Sequence, residues 1–218
     1  MNSKDERFAE ERPIIALTFD DGPSDNTASD RILETLEKYS VKATFFAVGE
    51  QVEKNPDKLR QKMALCHEIG SHTWSHHYGE NVTKDDILKG NEIIKQVSGK
   101  NPVCFRSPGG ATNDFIRQVC KETGLPLFYW SIDTNDWRHR DAKKTYDEVV
   151  NNSRDGDIVL MHELYESTAD AVEKILPALI ERGFQFVTCS ELVLLKTGQP
   201  PLPGVQYLRN GKICNNTK

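Results

Sequence analysis

The stretch Ile14-Ile15-Ala16-Leu17-Thr18-Phe19-Asp20-Asp21-Gly22-Pro23 decides how this 218-residue chain folds. Its apolar first half predicts a buried strand, and Gly22-Pro23 predicts the turn that ends the strand. Two adjacent carboxylates, Asp20 and Asp21, therefore stand at the carboxyl end of a strand. When partly desolvated, they do not both stay ionised without a cation or a basic partner. Since Asp and Gly are also common in simple turns, this stretch alone leaves a metal site and a plain turn as equal alternatives.

A pair of histidines in Ser71-His72-Thr73-Trp74-Ser75-His76 favours the metal site. If this segment is helical, the i, i+4 spacing puts both imidazoles on one face, with their Cβ atoms about 5–6 Å apart. Two imidazoles and one carboxylate leave open positions for water and substrate, as hydrolysis needs. The cysteines show no CxxC spacing of the kind that builds a structural zinc site. An ordinary pair of surface histidines remains the alternative.

Length and composition are typical of one globular domain with a sizeable core. The net charge of −5 provides no basic footprint, so we expect no nucleic-acid partner. No apolar run reaches the ~18 residues that a membrane span needs. The five cysteines allow at most two disulfides, and their spacing argues for neither, so the redox compartment stays open.

Strand and helix patterns alternate along the chain. Strands are predicted at 14–19, 43–48, 69–72, 103–106, 127–132, 158–162 and 185–188. Helices are predicted at 26–39, 56–69, 83–97, 113–123, 145–153 and 167–182. Seven βα-type units with short links predict a parallel sheet closed into a barrel. Polar residues that end these strands then meet on the carboxyl rim, where barrel enzymes build their active sites.

Five segments, in this order, resemble the polysaccharide deacetylases of carbohydrate esterase family 4, the NodB-homology domain. They are Thr18-Phe19-Asp20-Asp21-Gly22-Pro23, Ser71-His72-Thr73-Trp74-Ser75-His76, Arg106-Ser107-Pro108-Gly109-Gly110, Asp133-Thr134-Asn135-Asp136-Trp137 and Ile158-Val159-Leu160-Met161-His162. Any one motif is weak to moderate evidence, but five in order are very improbable by chance. The resemblance implies an α/β fold, namely a distorted parallel (β/α) barrel of about seven strands similar to a TIM barrel.

The resemblance also divides the chain. We expect a disordered N-terminal lead over residues 1–12, the deacetylase domain over 13–199 and an extended tail over 200–218. The lead is polar and contains no visible signal peptide. It is either the start of a cytoplasmic protein or the cut end of an exported one. In the second case we expect the protein to be extracellular or associated with the cell wall, and in both cases a monomer.

The resemblance implies one divalent metal ion held by Asp21, His72 and His76. Zinc is the default, although cobalt, nickel and manganese also suit these ligands. Asp20 is then the general base, because the metal neutralises the neighbouring carboxylate and leaves Asp20 free to take a proton. Arg106 is implied to pair with Asp20 and fix its orientation.

His162 is the implied general acid, since an amine leaving group needs a proton. A neighbouring carboxylate raises the pKa of a histidine, and Asp136 is the predicted neighbour, with Asp133 as the alternative.

The substrate cleft is predicted from the same motifs. Leu160 and Trp137 wall the slot for the acetyl methyl, and Trp130 is either a third wall or a core residue. The backbone N–H at Gly109 is expected to donate to the oxyanion. Many members of the family have a bulky residue, often tyrosine, where this chain has Gly109, so one wall of the cleft is missing.

We therefore predict a metal-dependent hydrolase that acts on linear amides, carbon–nitrogen bonds other than peptide bonds. Using metal-activated water, it removes N-acetyl groups from a polysaccharide containing N-acetylglucosamine, of the peptidoglycan or chitin type. An acetyl-ester hydrolase acting on xylan with the same site is the alternative, and no motif separates the two. A non-enzymatic carbohydrate-binding domain is disfavoured because the metal triad, the base and His162 are all present.

Overall fold

The computed structural model describes residues 12–213 of the chain, in which helices flank a parallel sheet. The strands are β1 (Ile14–Asp20), β2 (Thr44–Ala47), β3 (Glu68–Ser71), β4 (Cys104–Phe105), β5 (Leu127–Phe128), β6 (Ile132–Asp133), β7 (Asp157–His162), β8 (Gln185–Phe186) and β9 (Gln206–Tyr207). The helices are α1 (Thr27–Lys38), α2 (Gly49–Lys54), α3 (Pro56–Ala64), α4 (Lys84–Ser98), α5 (Asp114–Glu122), α6 (Asp136–His139), α7 (Ala142–Asn152), α8 (Glu166–Glu181) and α9 (Cys189–Thr197). Short 3₁₀ turns lie at Gly79–Asn81, Pro108–Gly110 and Arg209–Gly211.

The sheet is curled like part of a barrel, and β1 is one of its inner strands. Its strand order is β6-β7-β1-β2-β3-β4-β5-β9, with β8 also paired to β1, and the ladders between these strands are parallel. Within residues 12–213 no ladder joins β6 to β9. The predicted α/β fold with a parallel, barrel-like sheet is confirmed. The register of β1 on β7 puts Asp20 beside His162, so two of the predicted site residues are neighbours across one strand pair.

Strand β1 is apolar on both faces because both faces are covered. Ile15, Leu17 and Phe19 belong to the larger apolar cluster, which also includes residues of α1 and α8. Ile14 and Ala16 point to a second cluster. A parallel strand buried on both sides is expected to be a continuous apolar run rather than an alternating one. This explains why the opening stretch predicts its strand so clearly.

The predicted strand at 127–132 is two short strands, β5 and β6. The carbonyls of Phe128 and Tyr129 accept hydrogen bonds from the Arg106 guanidinium, at 3.2 Å each. These carbonyls are therefore turned towards a side chain at the point where β5 ends. A local pattern of apolar residues cannot reveal a partner that lies about twenty residues earlier in the chain.

Other differences occur at element ends. The predicted helix at 56–69 ends at Ala64, since β3 begins at Glu68 and pairs with β2. The predicted strand at 185–188 ends at Phe186, because Thr188 caps α9 and forms a capping box with Glu191. The helices α2, α6 and α9 have no counterpart in the sequence prediction.

The segment expected to be an extended tail contributes a strand. Gln206–Tyr207 pair with β5, and the Tyr207 side chain is buried. Residues 214–218 of the expected tail, and residues 1–11 of the expected lead, lie outside the described residues. Within the described range, no helix has the length and apolar character needed to cross a membrane.

A buried ion pair packs behind the carboxyl end of β7. Lys62 Nζ lies 2.9 Å from Glu163 Oε2, and each side chain is only 1% exposed. Ser29 adds hydrogen bonds to both partners, and the ammonium lies 5.0 Å from the centre of the Phe45 ring. Burying two charges costs several kcal/mol per ion, which their attraction offsets only while both partners are present.

We expect Lys62→Met to lower the free energy of unfolding by about 3–5 kcal/mol, because Glu163 is left as an unpaired buried charge. Urea unfolding of the metal-free protein at neutral pH measures this. The matched control is Lys58→Met, which breaks the more exposed pair with Asp30 and should cost about 0–1 kcal/mol. The double variant Lys62→Met/Glu163→Gln should recover part of the loss, and equal losses for Lys62→Met and Lys58→Met would contradict the prediction.

Candidate active site

The carboxyl ends of the central strands open into one cavity of about 420 Å³. It is lined by Asp20, Asp21, His72, His76, Tyr78, Gly109, Trp130, Asp133, Trp137, Leu160, His162 and Tyr165. Two predicted site residues are missing from this lining. Arg106 and Asp136 are buried, at 1% and 0% exposure, and contact Asp20 and His162 respectively. The structure therefore brings all the predicted site residues together, ten residues in two layers.

His72 and His76 lie on a loop after β3, not on a helix, which corrects the helical assumption. Thr73 and His76 have left-handed φ angles of 67° and 57°. The carbonyl of Thr73 accepts from the Gly49 amide at 2.9 Å, and that of Trp74 accepts from the Glu50 amide, so neither is free for a helix. The two imidazole centres are nevertheless 4.9 Å apart. Tertiary contacts, and not the helical spacing that was expected, therefore bring the two rings together.

Asp21, His72 and His76 offer donor atoms that all lie within 4.8 Å of one another. Oδ1 of Asp21 is 3.6 Å from Nε2 of His72 and 3.0 Å from Nε2 of His76. Although it is this close, Oδ1 is buried and accepts no well-aligned hydrogen bond. A buried carboxylate oxygen without a hydrogen bond, beside two imidazole nitrogens, fits a divalent metal site.

The ring of His72 is oriented for this role by a backbone group. Its Nδ1 lies 2.6 Å from the carbonyl of Arg106, which can only accept, so Nδ1 carries the proton. Nε2 then has a free lone pair on the side of Asp21. A hydrogen bond at the distal nitrogen is the usual way in which a ligating histidine is fixed.

The protonation states of Asp21 and His72 also suit the binding of a metal cation. Burial would raise the pKa of Asp21, but contact with His76 and the charges of His72 and His162 outweigh it and lower the pKa to about 2. Burial is the main cause that lowers the pKa of His72 below its usual value. An ionised carboxylate and a neutral imidazole are the forms that bind metal.

The buried side chain of Arg106 holds Asp20 in place. Nη1 of Arg106 donates to Oδ1 of Asp20 at 2.7 Å and to the hydroxyl of Thr18 at the same distance. The guanidinium also lies over the Phe46 ring, 4.1 Å from its centre. Only one carboxylate oxygen is engaged, and Oδ2 of Asp20 lies 3.6 Å from Nε2 of His72. The second oxygen of Asp20 is thus directed to the side of the cavity where His72 lies.

His162 is paired with Asp136 and not with Asp133. Nδ1 of His162 lies 2.7 Å from Oδ1 of Asp136, and the His162 amide donates to Oδ2 at 2.8 Å. Thr168 and the Trp137 amide complete the shell of this buried carboxylate. Asp133 lines the cavity, but its Oδ1 accepts from the Asn135 amide.

The charge of Asp136 decides the protonation of His162. Burial would lower the pKa of His162, but the hydrogen bond to Asp136 and its charge, together with Asp20 and Asp21, raise it to about 9. Contact with His162 conversely holds the pKa of Asp136 below its usual value in spite of burial. The imidazole is therefore a cation at neutral pH in the metal-free protein.

Two tyrosines of the cavity were missed by the sequence prediction. Tyr78 lies two residues after His76, and Tyr165 lies three residues after His162. Their closeness to the motif histidines was the available signal. Trp130, left open between wall and core, does both: it lines the cavity, and it packs, partly buried, against the second apolar cluster.

Comparison with known proteins identifies the family of this chain. Residues 9–128 match the family model described as Polysaccharide deacetylase. The chain belongs to this family. The resemblance stated from the five motifs is thereby confirmed, and the cavity described above is the candidate active site of a deacetylase-family domain.

Three relatives show the range of the family. A peptidoglycan-N-acetylglucosamine deacetylase of Bacillus cereus is 40% identical over 192 residues, which cover 84% of this chain and 89% of the relative. The peptidoglycan-N-acetylglucosamine deacetylase PgdA of Listeria monocytogenes is also 40% identical, over 82% of this chain, but the match spans only 38% of its length. A family 4 acetyl xylan esterase from Clostridium thermocellum, solved in complex with a cobalt ion, superposes with a TM-score of 0.81 and 35% identity, covering 90% of this chain and 98% of that one.

We expect His162 of the metal-free protein to titrate with a pKa of about 9 rather than 6.5. Asp136→Asn should lower this pKa, since burial then acts against the cation with only the smaller contributions of Asp20 and Asp21 to oppose it. NMR of the imidazole nitrogens measures both values. Thr168→Val is the control, because it removes one hydrogen bond to Asp136 but keeps the charge.

The same shift predicts a pH dependence of stability. Because the folded-state pKa is raised, the stabilisation is complete below about pH 6.5 and is lost as the pH rises through about 9. Urea unfolding should show this decline in the wild type and not in Asp136→Asn. A wild-type His162 that titrates near its ordinary value would contradict both expectations.

Proposed function

We propose that this protein is a metal-dependent deacetylase that hydrolyses N-acetyl groups of a sugar polymer, with N-acetylglucosamine of peptidoglycan as the first candidate. The observation that carries the proposal is that two ion pairs meet at one cavity, Asp20 with Arg106 and His162 with Asp136. Asp20 is oriented by a buried arginine, and His162 is kept protonated by a buried aspartate. A base and an acid beside three metal-type donors are the set that amide hydrolysis needs.

Asp21, His72 and His76 would hold the ion, for which zinc is our expectation. When bound, a divalent ion supplies Lewis acidity, which polarises the acetyl carbonyl and makes water easier to deprotonate. The cobalt complex of the Clostridium thermocellum relative supports this part of the proposal.

Asp20 would be the general base. Arg106 occupies Oδ1, so Oδ2 is the oxygen that takes a proton from the attacking water. The buried guanidinium prevents the carboxylate from rotating and keeps Oδ2 on the side of the three donors. This geometry supports a division of roles in which Asp21 is the ligand and Asp20 is the base.

His162 would be the general acid. Asp136 holds Nδ1, which leaves Nε2 to give a proton to the nitrogen of the departing amine. Leu160 and Trp137 line the cavity and would enclose the acetyl methyl, while the Gly109 amide is the proposed donor to the oxyanion.

The alternative activity is hydrolysis of acetyl esters on xylan. The similarity to an acetyl xylan esterase favours it, and the same residues would serve, because an alkoxide leaves more easily than an amine. The relatives that act on peptidoglycan support the amide, and action at the cell wall is part of that proposal.

The proposed metal site predicts zinc binding at one site per chain. The double variant His72→Ala/His76→Ala should lose stoichiometric zinc, since one carboxylate cannot hold the ion alone. Calorimetric titration of the metal-free protein measures the binding. Asp133→Asn is the control, because Asp133 lines the same cavity outside the triad. Full zinc occupancy in the double variant would contradict the site.

The reaction is tested by products. Purified peptidoglycan, chitooligosaccharides and acetyl-xylan are treated side by side, and new free amines are compared with new free hydroxyls. We expect free amines from the first two and a fall of about 10²–10⁴-fold in Asp20→Asn, which should keep its zinc. Free hydroxyls from acetyl-xylan alone would favour the esterase, and no product from any substrate would overturn the proposal.

A further inference from the structure

Gly109 and Tyr78 share one space at the edge of the cavity. Gly109 has a left-handed φ of 64°, which disfavours any side chain there. A Cβ at this position would also lie 2.9 Å from Cδ1 and 3.2 Å from Cε1 of the Tyr78 ring. A side chain at 109 and the ring of Tyr78 therefore exclude each other, so the space that Gly109 leaves is already filled.

Tyr78 is exposed, and its ring contacts one of the motif histidines. It packs edge-on against the imidazole of His76, with centroids 4.9 Å apart and planes at 82°. The backbone around it is closed by a turn, in which the Tyr78 carbonyl accepts from the Asn81 amide at 3.1 Å. The side chain is still 59% exposed and lines the cavity. Its hydroxyl makes no hydrogen bond to any residue of the range 12–213.

An aromatic ring open to a cavity offers an apolar face on which the apolar face of a ligand can pack. The catalytic cavity is otherwise polar near His76, where Asp20, Asp21 and His72 converge. Pyranose rings present faces of C–H groups as well as hydroxyls, and such faces pack on aromatic rings. The position of the ring beside a metal-type donor places such a contact next to the reacting acetyl group.

We propose that Tyr78 is a substrate-positioning residue whose ring supplies the aromatic wall that Gly109 lacks, and that a sugar ring of the polymer packs against it. The wall comes from the loop that carries the two histidines instead of from the loop after β4. This inference rests on the proposed deacetylase function and identifies the side chain that would orient its substrate.

The test compares a long and a short substrate. On a chitooligosaccharide, Tyr78→Ala should raise KM about 5- to 10-fold, as expected for loss of one aromatic contact, with kcat changed less than about twofold. Tyr78→Phe should stay within about twofold of the wild type, since the ring and not the hydroxyl makes the contact. On an aryl acetate, which has no sugar ring, Tyr78→Ala should leave KM unchanged.

Two controls separate positioning from a structural effect. Phe115→Ala removes another exposed aromatic ring, 48% exposed and outside the cavity, and should change no kinetic constant. Zinc affinity of Tyr78→Ala should match the wild type. Weaker zinc binding with equal losses on both substrates would show that the ring only supports His76, and would overturn the inference.

A double-mutant cycle tests the shared space directly. Gly109→Ala should raise KM in the wild-type background, where the new Cβ displaces the Tyr78 ring, and have a smaller effect in Tyr78→Ala. Additive effects would contradict the steric link. A wild type without activity on any acetylated oligosaccharide would defeat the proposed function, whereas an active wild type with unchanged KM in Tyr78→Ala would defeat this inference alone.

Discussion

The buried guanidinium of Arg106 is the constraint on which the rest of the site depends. It is 1% exposed and donates to Asp20 and Thr18 on β1 and to two carbonyls at the end of β5. Its own backbone carbonyl holds Nδ1 of His72. A buried charge is costly unless it is fully paired, so β1, β5 and the histidine loop must all be in place before this residue is satisfied. The same contacts that satisfy Arg106 orient the proposed base and one proposed ligand.

The site contains two buried ion pairs of opposite arrangement. In one, a cation holds the proposed base, and in the other, an anion holds the proposed acid. Arg106 neutralises Asp20, while Asp136 makes His162 a cation. Asp20 and His162 are neighbours in the register of β1 on β7, so the two pairs are fixed relative to each other by backbone hydrogen bonds. A parallel sheet provides this arrangement because its strand ends meet on one edge.

A third charge pair supports the loop that follows Asp21. A Cβ at Gly22 would overlap the carboxylate of Glu163, which is paired with Lys62 in the core. Only glycine permits the loop to approach this closely. The Gly22 of the opening motif thus serves packing against the ion pair, while the aspartates before it face the cavity.

Much of this molecule follows from its sequence. The apolar run into Asp20-Asp21, the strand–helix alternation and the order of five motifs determine the α/β class, the central strand and the residues that gather at one edge, because local apolar patterns and polar strand ends are properties of short segments. The pairing of His162 with Asp136 rather than Asp133 was decided by tertiary structure, since both aspartates lie in one short motif and only the folded chain brings one of them to the His162 amide and the Thr168 hydroxyl.

The loop conformation of the two histidines, the break between β5 and β6 and the Tyr78 ring in the space beside Gly109 were likewise beyond the sequence. Each depends on a partner distant in the chain: the first amides of α2, the guanidinium of Arg106 and the backbone of the loop after β4. Short-range patterns determine which segments form and which groups they carry. Only the folded chain determines which of those groups touch, because contact energies between distant residues do not appear in any local spacing.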